Sequence, residues 1–478
     1  MIFIPIILAL FTWLLILRLC NQHKYLNIFE QIVIWFVAAL ALFVLELFLQ
    51  GVIINHLSLL FPIITFVILL GLFLYKNNKK SWYIQEIFVS IKANFIDIWH
   101  QFSSLKSWKK YLILWIVVYA LMKVIMVFSI NTNMPTFDED AVAWWDMKTK
   151  IFASTQSLVL DKNNPEYLGT DYGRYPFAGI ADTYFLLPYG NFVNGLWNIV
   201  APLMYILALL LLFGIFLRKT NFFISVISLY LFTSLPFVLI HGFGSYWNFP
   251  AWVFLFIFIF YLIDQLFHID KEYGNNTSIL FPILSVWFLS SVTRNEGVMI
   301  TGIIFLAIVV LYHILKRWNI KEIKNHFWPL IPIILWYIFN KIIFSFYPVW
   351  TVLNTWGTQI NADLLNSFFT NIGQPGVFVA PFQQMFYHPD YILLFVLFII
   401  TLIMFFRTYK HMKKIRLFWA ITILLLLLFM FTLYANVQSL WLLTHYAFIR
   451  YPVSIVLFLL YTIIYSLYLW KGNHEHWL

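Results

Sequence analysis

One segment of the amino-acid sequence carries an unusual share of the acidic groups. Eight of the 20 Asp and Glu residues lie between residues 131 and 193, and Asp138, Glu139 and Asp140 follow one another there. A carboxylate can act as a general base that takes the proton of a hydroxyl group. Asp138 and Glu139 are therefore the catalytic candidates, and Asp140 is a weaker candidate for contacting a substrate.

The same acids also have a structural interpretation. Thr136 with Glu139 three residues later matches a capping box, and acids in the first turn of a helix suit the helix dipole. We expect a helix from this point to about Phe152, for which Glu139 and Asp140 can be simple caps. Asp138 is harder to explain as a cap, because it lies beside the predicted membrane exit of the preceding apolar segment.

Two arginines interrupt apolar sequence further along the chain. Arg294 lies within the single polar interruption of residues 279–315, and Arg450 directly precedes the last apolar segment. A guanidinium group can bind a phosphate and stabilise it as a leaving group. Each arginine also has a structural interpretation. Arg294 can form an ion pair with Glu296, and Arg450 can lay its apolar stem in the membrane while its charged group reaches the lipid head groups.

The composition excludes a soluble protein. Apolar residues make up 62% of the 478 residues and charged residues only 10%, whereas ordinary globular proteins have about 25% charged residues. The single cysteine excludes an intramolecular disulfide and a cysteine metal cluster. The sequence has no phosphate-binding loop, HExxH motif or serine-nucleophile elbow. It therefore predicts an all-α, polytopic membrane protein.

Apolar segments of about 20 residues, the length that crosses a bilayer as a helix, recur along the whole chain. We predict about 13 crossings, at approximately 2–17, 31–50, 57–75, 111–130, 194–217, 221–240, 249–266, 279–293, 297–315, 327–347, 391–406, 417–435 and 451–470.

Lys and Arg residues concentrate in alternate loops between these crossings. One set of loops holds 22 of the 30 basic residues, and the positive-inside rule assigns that set to the cytoplasm. The N-terminus is then outside, the C-terminus is cytoplasmic, and the acidic segment 131–193 is a large outward loop. The cytoplasmic stretch 76–110 has apolar residues at helical spacing, which predicts an interfacial helix on the inner leaflet. Residues 279–315 are predicted to form two crossings joined by a turn at their polar interruption. We expect this hairpin to bring Arg294 and Glu296 near the outer head groups.

These elements together resemble the GT-C superfamily of integral membrane glycosyltransferases, especially the protein O-mannosyltransferases and the lipid A aminoarabinose transferases. The main likeness is the Asp138-Glu139 pair early in a large outward loop, and the match extends over about residues 111–470. One element differs: many members carry Tyr-Ala-Asp after the third core span, whereas this chain has Tyr246-Trp247-Asn248. The other matching elements are Asp146-Met147-Lys148-Thr149-Lys150, Arg174-Tyr175-Pro176, Thr293-Arg294-Asn295-Glu296-Gly297 and Arg450-Tyr451-Pro452.

The predicted crossings and the resemblance together divide the chain into three regions. Residues 1–110 are an N-terminal three-span region with the cytoplasmic interfacial helix, residues 111–347 are a GT-C-like catalytic core that contains loop 131–193, and residues 348–478 are an outward loop with the C-terminal spans.

The resemblance also implies a function. A hexosyl- or pentosyltransferase of this kind moves a sugar from a polyprenyl-phosphate-linked donor to a glycan, lipid or protein acceptor on the extracytoplasmic side. Asp138 would be the base and Glu139 its neighbour in positioning, and Arg294 and Arg450 would hold the donor phosphate. Direct activation of the acceptor hydroxyl would invert the anomeric carbon. The weaker substrate-binding candidates are Asp140, Lys148, Arg174, Tyr175, Glu296 and Tyr451.

The expected partners are the donor lipid, the acceptor and the lipid bilayer, with no nucleic acid. No cofactor is required for a monophosphate leaving group, although the acids can bind a divalent metal. Two alternatives remain: a polysaccharide polymerase or ligase that uses lipid-linked glycans, and a non-enzymatic lipid-glycan transporter. A transporter is expected to place charges near the bilayer midplane, whereas this chain clusters them on one face, which favours an enzyme.

Overall fold

A computed structural model shows a bundle of helices. It describes residues 3–19, 26–77, 83–133, 147–159, 177–244, 248–266, 310, 362–374, 376, 377, 379, 383, 389–408, 415–436 and 453–474. All the elements in these ranges are helical and none is a strand, which confirms the all-α class. The helices are α1 (Phe3–Leu19), α2 (Ile28–Ile54), α3 (Leu60–Asn77), α4 (Tyr83–Ser103), α5 (Ser107–Asn133), α6 (Met147–Thr155), α7 (Phe177–Leu186), α8 (Val200–Lys219), α9 (Phe222–Thr233), α10 (Pro236–Phe243), α11 (Asn248–Leu266), α12 (Ala362–Ile372), α13 (Pro389–Thr408), α14 (Arg416–Asn436) and α15 (Val453–His474).

Three of the described helices, α2, α5 and α8, are long and apolar enough to cross a membrane, and several others contain shorter apolar stretches. This agrees with an integral membrane protein. The predicted crossings at 279–293, 297–315 and 327–347 lie outside the described residues, and each of the other predicted crossings overlaps a described helix. The total of about 13 crossings and the GT-C-like core stay predictions.

Contacts between helices define the two ends of the bundle. At one end, Arg218 in the last turn of α8 contacts Glu30 in the first turn of α2 and Asp264 in the last turn of α11. At the other end, Gly195 packs against the carbonyl of Thr132 in the last turn of α5. We call these the Arg218 end and the Thr132 end. Loops 18–30, 218–220 and 267–278 belong to the Lys- and Arg-rich set that the positive-inside rule predicts to be cytoplasmic. Helix termini that border these loops, at Glu30, Arg218 and Asp264, meet at the Arg218 end. Which end faces the cytoplasm stays a prediction.

The predicted crossing at 221–240 is broken in the structure. Helix α9 ends at Thr233 and α10 begins at Pro236. Proline has no N–H to donate to the preceding turn, and it disfavours helical geometry in the residue before it. Leu235 is accordingly extended, with φ −81° and ψ 112°. The break places the short helix α10 against α5 and α8 at the Thr132 end.

The interfacial helix expected within 76–110 is present as α4. One face of α4 packs on the bundle: Phe102 makes an edge-to-face contact with Phe222 of α9, and the side chain of Gln101 accepts the Phe222 N–H at 2.9 Å. Val89 and Trp99 are exposed. Location of α4 on the inner leaflet stays a prediction.

Helix α2 lies in the interior of the bundle and approaches α8 closely at Gly214. The amide of Asn27, the N-cap of α2, donates to the Gly214 carbonyl at 2.5 Å. A Cβ at Gly214 would lie 2.8 Å from Oδ1 of Asn27 and 2.9 Å from Cγ of Glu30. Both distances are shorter than real Cβ contacts, so only glycine permits this approach.

We therefore expect Gly214→Ala to lower the free energy of unfolding by about 1–3 kcal/mol, the usual cost of overpacking. Gly71→Ala in α3 is the matched control, because none of the described atoms lies within 4 Å of a Cβ there. Alanine in a helix is favoured over glycine by about 1 kcal/mol, so the control should be neutral or stabilising. Thermal unfolding of both variants in detergent micelles tests this, and equal stability of the two would contradict the packing argument.

Candidate functional site

Most residues predicted to form the site lie outside the described residues. Of the ten, only Lys148 is described; the others are Asp138, Glu139, Asp140, Arg174, Tyr175, Arg294, Glu296, Arg450 and Tyr451. Their roles stay predictions, and the described part of the site is built outward from Lys148.

Lys148 lies on the short helix α6 and is only 3% exposed. Helix α6 packs on α7, where a Cβ at Gly179 would lie 3.1 Å from Cβ of Lys148 and 3.3 Å from the ring of Phe152. The small Gly179 therefore lets α6 and α7 approach closely enough to bury the stem of the lysine. Lys150, two residues later on the same helix, is exposed.

Helix α7 is itself fixed to the bundle. The phenol of Tyr184 donates to the carbonyl of Pro5 in α1 at 2.9 Å, and its ring stacks on Phe43 of α2. Burial raises the pKa of Tyr184 well above its ordinary value, and the charge of Glu46 adds to this shift. The phenol is therefore a neutral donor over the physiological pH range, and it holds α7 in one position.

The connection between α7 and α8 joins several elements at the Thr132 end. Gly195 has φ +82°, and a Cβ there would lie 2.6 Å from the carbonyl oxygen of Thr132, so this close approach needs glycine. Asn198 donates to the carbonyl of Phe243 at the end of α10, at 3.4 Å. The N–H of Val200, the first residue of α8, donates to Oδ1 of Asp182 on α7 at 3.4 Å.

These contacts gather buried polar side chains at the Thr132 end. Polar side chains buried at one end of an apolar bundle are typical of a binding site. The set includes one lysine and one aspartate. Its described members, each at most 4% exposed, are Asn131, Lys148, Thr149, Asp182, Thr183, Asn198 and His241.

The sequence analysis identified only Lys148 of this set as a site candidate. Asp182 was counted among the acids of loop 131–193 without a role, and His241 was not singled out for this site. The missed signal was the position of polar residues at the boundaries of apolar segments, as with Asn131 near the end of α5. Their assembly depends on the turn at Gly195, which pattern analysis does not reveal.

No three His, Cys, Asp or Glu residues in the described part of the chain are grouped so that they could hold a metal ion. The acidic run 138–140, the predicted place for a divalent ion, lies outside that part.

A second group of buried charges lies at the Arg218 end. Nε of Arg218 donates to Glu30 at 2.9 Å and Nη1 donates to Asp264 at 2.9 Å, while Nζ of Lys219 donates to Asp264 at 2.7 Å. The Tyr261 hydroxyl donates to Glu30 at 2.8 Å. Glu30 and Asp264 are 0% and 1% exposed. Two carboxylates and two cations therefore balance within one network that joins α2, α8 and α11, an arrangement suited to holding helices together.

The sequence does not predict this network, because Arg218 and Lys219 lie in a short segment between two apolar stretches, where charged residues of a loop are expected. The available signal was Asp264, a carboxylate in an otherwise apolar helix. Such a residue is costly in a membrane unless it is paired, so its presence indicates a partner without identifying it.

Comparison with known proteins leaves the family open: no family model, no curated protein and no solved structure matches this chain. The likeness to the GT-C superfamily therefore rests on the short sequence motifs alone.

Proposed function

We propose that this protein is a membrane glycosyltransferase that moves a sugar from a polyprenyl-phosphate donor to an acceptor hydroxyl on the extracytoplasmic side. The observation that carries the proposal is the burial of Lys148 on α6, which packs on α7, the helix that carries the buried Asp182 at the Thr132 end. A buried cation at the end of an apolar bundle suits an anionic head group attached to a lipid tail, because the tail can remain in the hydrocarbon while the phosphate meets the charge.

Chain connectivity supports a role for the acidic run beside this lysine. Asp138 follows Asn133, the last residue of α5, by five positions, and five residues span at most roughly 18 Å. Helix α5 has 27 residues, which corresponds to about 40 Å. That reach is too short for the Arg218 end, so we assign Asp138 to the Thr132 end as part of this proposal.

The proposed reaction is a displacement at the anomeric carbon of the sugar. Asp138 takes the proton of the acceptor hydroxyl, the acceptor oxygen forms the new glycosidic bond, and the bond from the anomeric carbon to the phosphate oxygen breaks. The phosphate leaves with the electron pair, and Lys148, Arg294 and Arg450 stabilise its charge. Attack from the face opposite the phosphate inverts the configuration. Glu139 positions the substrates beside the base.

Binding of undecaprenyl phosphate to the purified full-length protein tests the proposal. We expect Lys148→Met to weaken binding by about tenfold or more, because hydrogen bonds to charged groups contribute about 1.5–3 kcal/mol. Lys150→Met is the matched control, since Lys150 is on the same helix but exposed, and it should bind like the wild type. Thermal unfolding without lipid separates a loss of binding from a loss of folding.

Two results would contradict this assignment. Absence of undecaprenyl phosphate binding by the wild-type protein would remove the proposed function. Equal binding by the wild type and a folded Lys148→Met variant would leave the lysine as a structural residue of α6 and exclude it from the phosphate site.

A further inference from the structure

Asn131 has an unmet hydrogen-bonding capacity inside the protein. It lies in the last turn of α5 and is 4% exposed, yet neither Oδ1 nor Nδ2 has a hydrogen-bond partner among the described residues. A buried polar group without a partner destabilises a fold, because it has lost its hydrogen bonds to water and gained none in return. Asn133, two residues later, is exposed, and its amide donates to the Ser129 carbonyl at 2.9 Å. Of these two asparagines, only Asn131 therefore lacks a hydrogen-bond partner among the described residues.

Asn131 is adjacent to the elements that form the Thr132 end. The next residue, Thr132, has its carbonyl against Gly195, and the connection from Gly195 leads to Asn198 and to Val200, which donates to Asp182. Helix α10 also packs against α5. A ligand group that meets Asn131 therefore lies at the same end of the bundle as the buried Lys148.

The chemistry of a side-chain amide limits what that ligand group can be. Nδ2 needs an acceptor and Oδ1 needs a donor. A fully ionised phosphate only accepts, so it would leave Oδ1 without a partner. A hydroxyl both donates and accepts, and two neighbouring hydroxyls of a sugar ring can satisfy both amide atoms at once.

Two further buried hydroxyls at this end have the same need. Oγ1 of Thr183 on α7 and the phenol oxygen of Tyr205 on α8 are buried and have no hydrogen-bond partner among the described residues. Tyr205 contacts α10, since a Cβ at Gly242 would lie 2.8 Å from its ring. Unmet polar groups on neighbouring helices favour a polyhydroxylated ligand over a single polar atom.

We propose that Asn131 binds hydroxyl groups of the sugar being transferred and so contributes to sugar specificity. This inference rests on the proposed function and assigns the two residues to different parts of the donor lipid. Lys148 contacts the phosphate, and Asn131 contacts the sugar. The two residues should therefore respond differently to donor lipids with and without a sugar.

The test compares Asn131→Leu with Asn133→Leu in the full-length protein. Each variant is titrated with undecaprenyl phosphate and with a panel of undecaprenyl-phosphate monosaccharides that carry a hexose, an aminosugar or a pentose. We expect Asn131→Leu to bind the unloaded lipid like the wild type and to bind the preferred sugar-loaded lipid about 10- to 100-fold more weakly, because two neutral hydrogen bonds to the sugar are lost. Asn133→Leu should match the wild type for every lipid.

Thermal unfolding without lipid distinguishes a ligand-binding asparagine from a structural one. Leucine has nearly the same shape and removes an unmet polar group, so Asn131→Leu should unfold at the same temperature as the wild type or higher. A lower unfolding temperature would overturn the proposal by showing that the amide supports the fold. Equal binding of every sugar-loaded lipid by the wild type and Asn131→Leu would also overturn it, and would assign the site to a buried water.

Failure of the proposed function gives a separate result. A wild-type protein that binds neither loaded nor unloaded undecaprenyl phosphate overturns both the proposed function and this assignment. A wild-type protein that binds both, with no effect of Asn131→Leu on either, overturns the assignment alone.

Discussion

Replacement of Arg218 by methionine is expected to lower the free energy of unfolding by about 3–5 kcal/mol, the typical cost of removing one partner from a buried ion pair. The guanidinium group contacts Glu30 and Asp264, whose side chains are 0% and 1% exposed. Methionine leaves the buried Glu30 without its cation. Asp264 keeps its ion pair with Lys219 at 2.7 Å. The substitution therefore weakens mainly the contact between α2 and α8.

Thermal unfolding in detergent micelles measures this effect. Lys92→Met on the exposed side of α4 is the control, and it should stay within about 0.5 kcal/mol of the wild type, as surface substitutions usually do. Lys219→Met should cost less than Arg218→Met, because Arg218 still pairs with Asp264. Unfolding of Arg218→Met at the wild-type temperature would show that the network does not hold α2 to α8.

The sequence predicts much of the helical framework, because a segment's ability to cross the membrane as a helix depends mainly on the length of its own apolar stretch. Helix α2 and helix α5 overlap the predicted crossings 31–50 and 111–130. The break between α9 and α10 was also present in the sequence as Pro236, but the apolar composition on both sides concealed it.

The packing of distant segments was beyond the reach of the sequence. Glu30 and Asp264 share one arginine although more than 200 residues separate them, and no local pattern encodes that pairing. The burial of Lys148 likewise depends on the absence of a side chain at Gly179, on a different helix. The sequence supplied residue types suited to chemistry, and tertiary packing decides which of them meet.

Asp138→Asn is expected to lower the turnover of sugar transfer by a factor of roughly 10² or more, because general base catalysis contributes 10²–10⁴-fold. Asparagine has the same size but is unable to accept the hydroxyl proton. Folding should be unaffected, since Thr136 and Glu139 can still cap the predicted helix. Binding of undecaprenyl phosphate should also stay near normal, because the phosphate is assigned to Lys148 and the arginines.

The measurement is sugar transfer by the purified protein in liposomes, with Asp161→Asn as the control from the same loop. Near-normal transfer by Asp138→Asn would contradict its role as the base. Because Glu139 and Asp140 are the next carboxylates in the chain, the same substitution in each of them would then decide whether any acid of this run takes the proton.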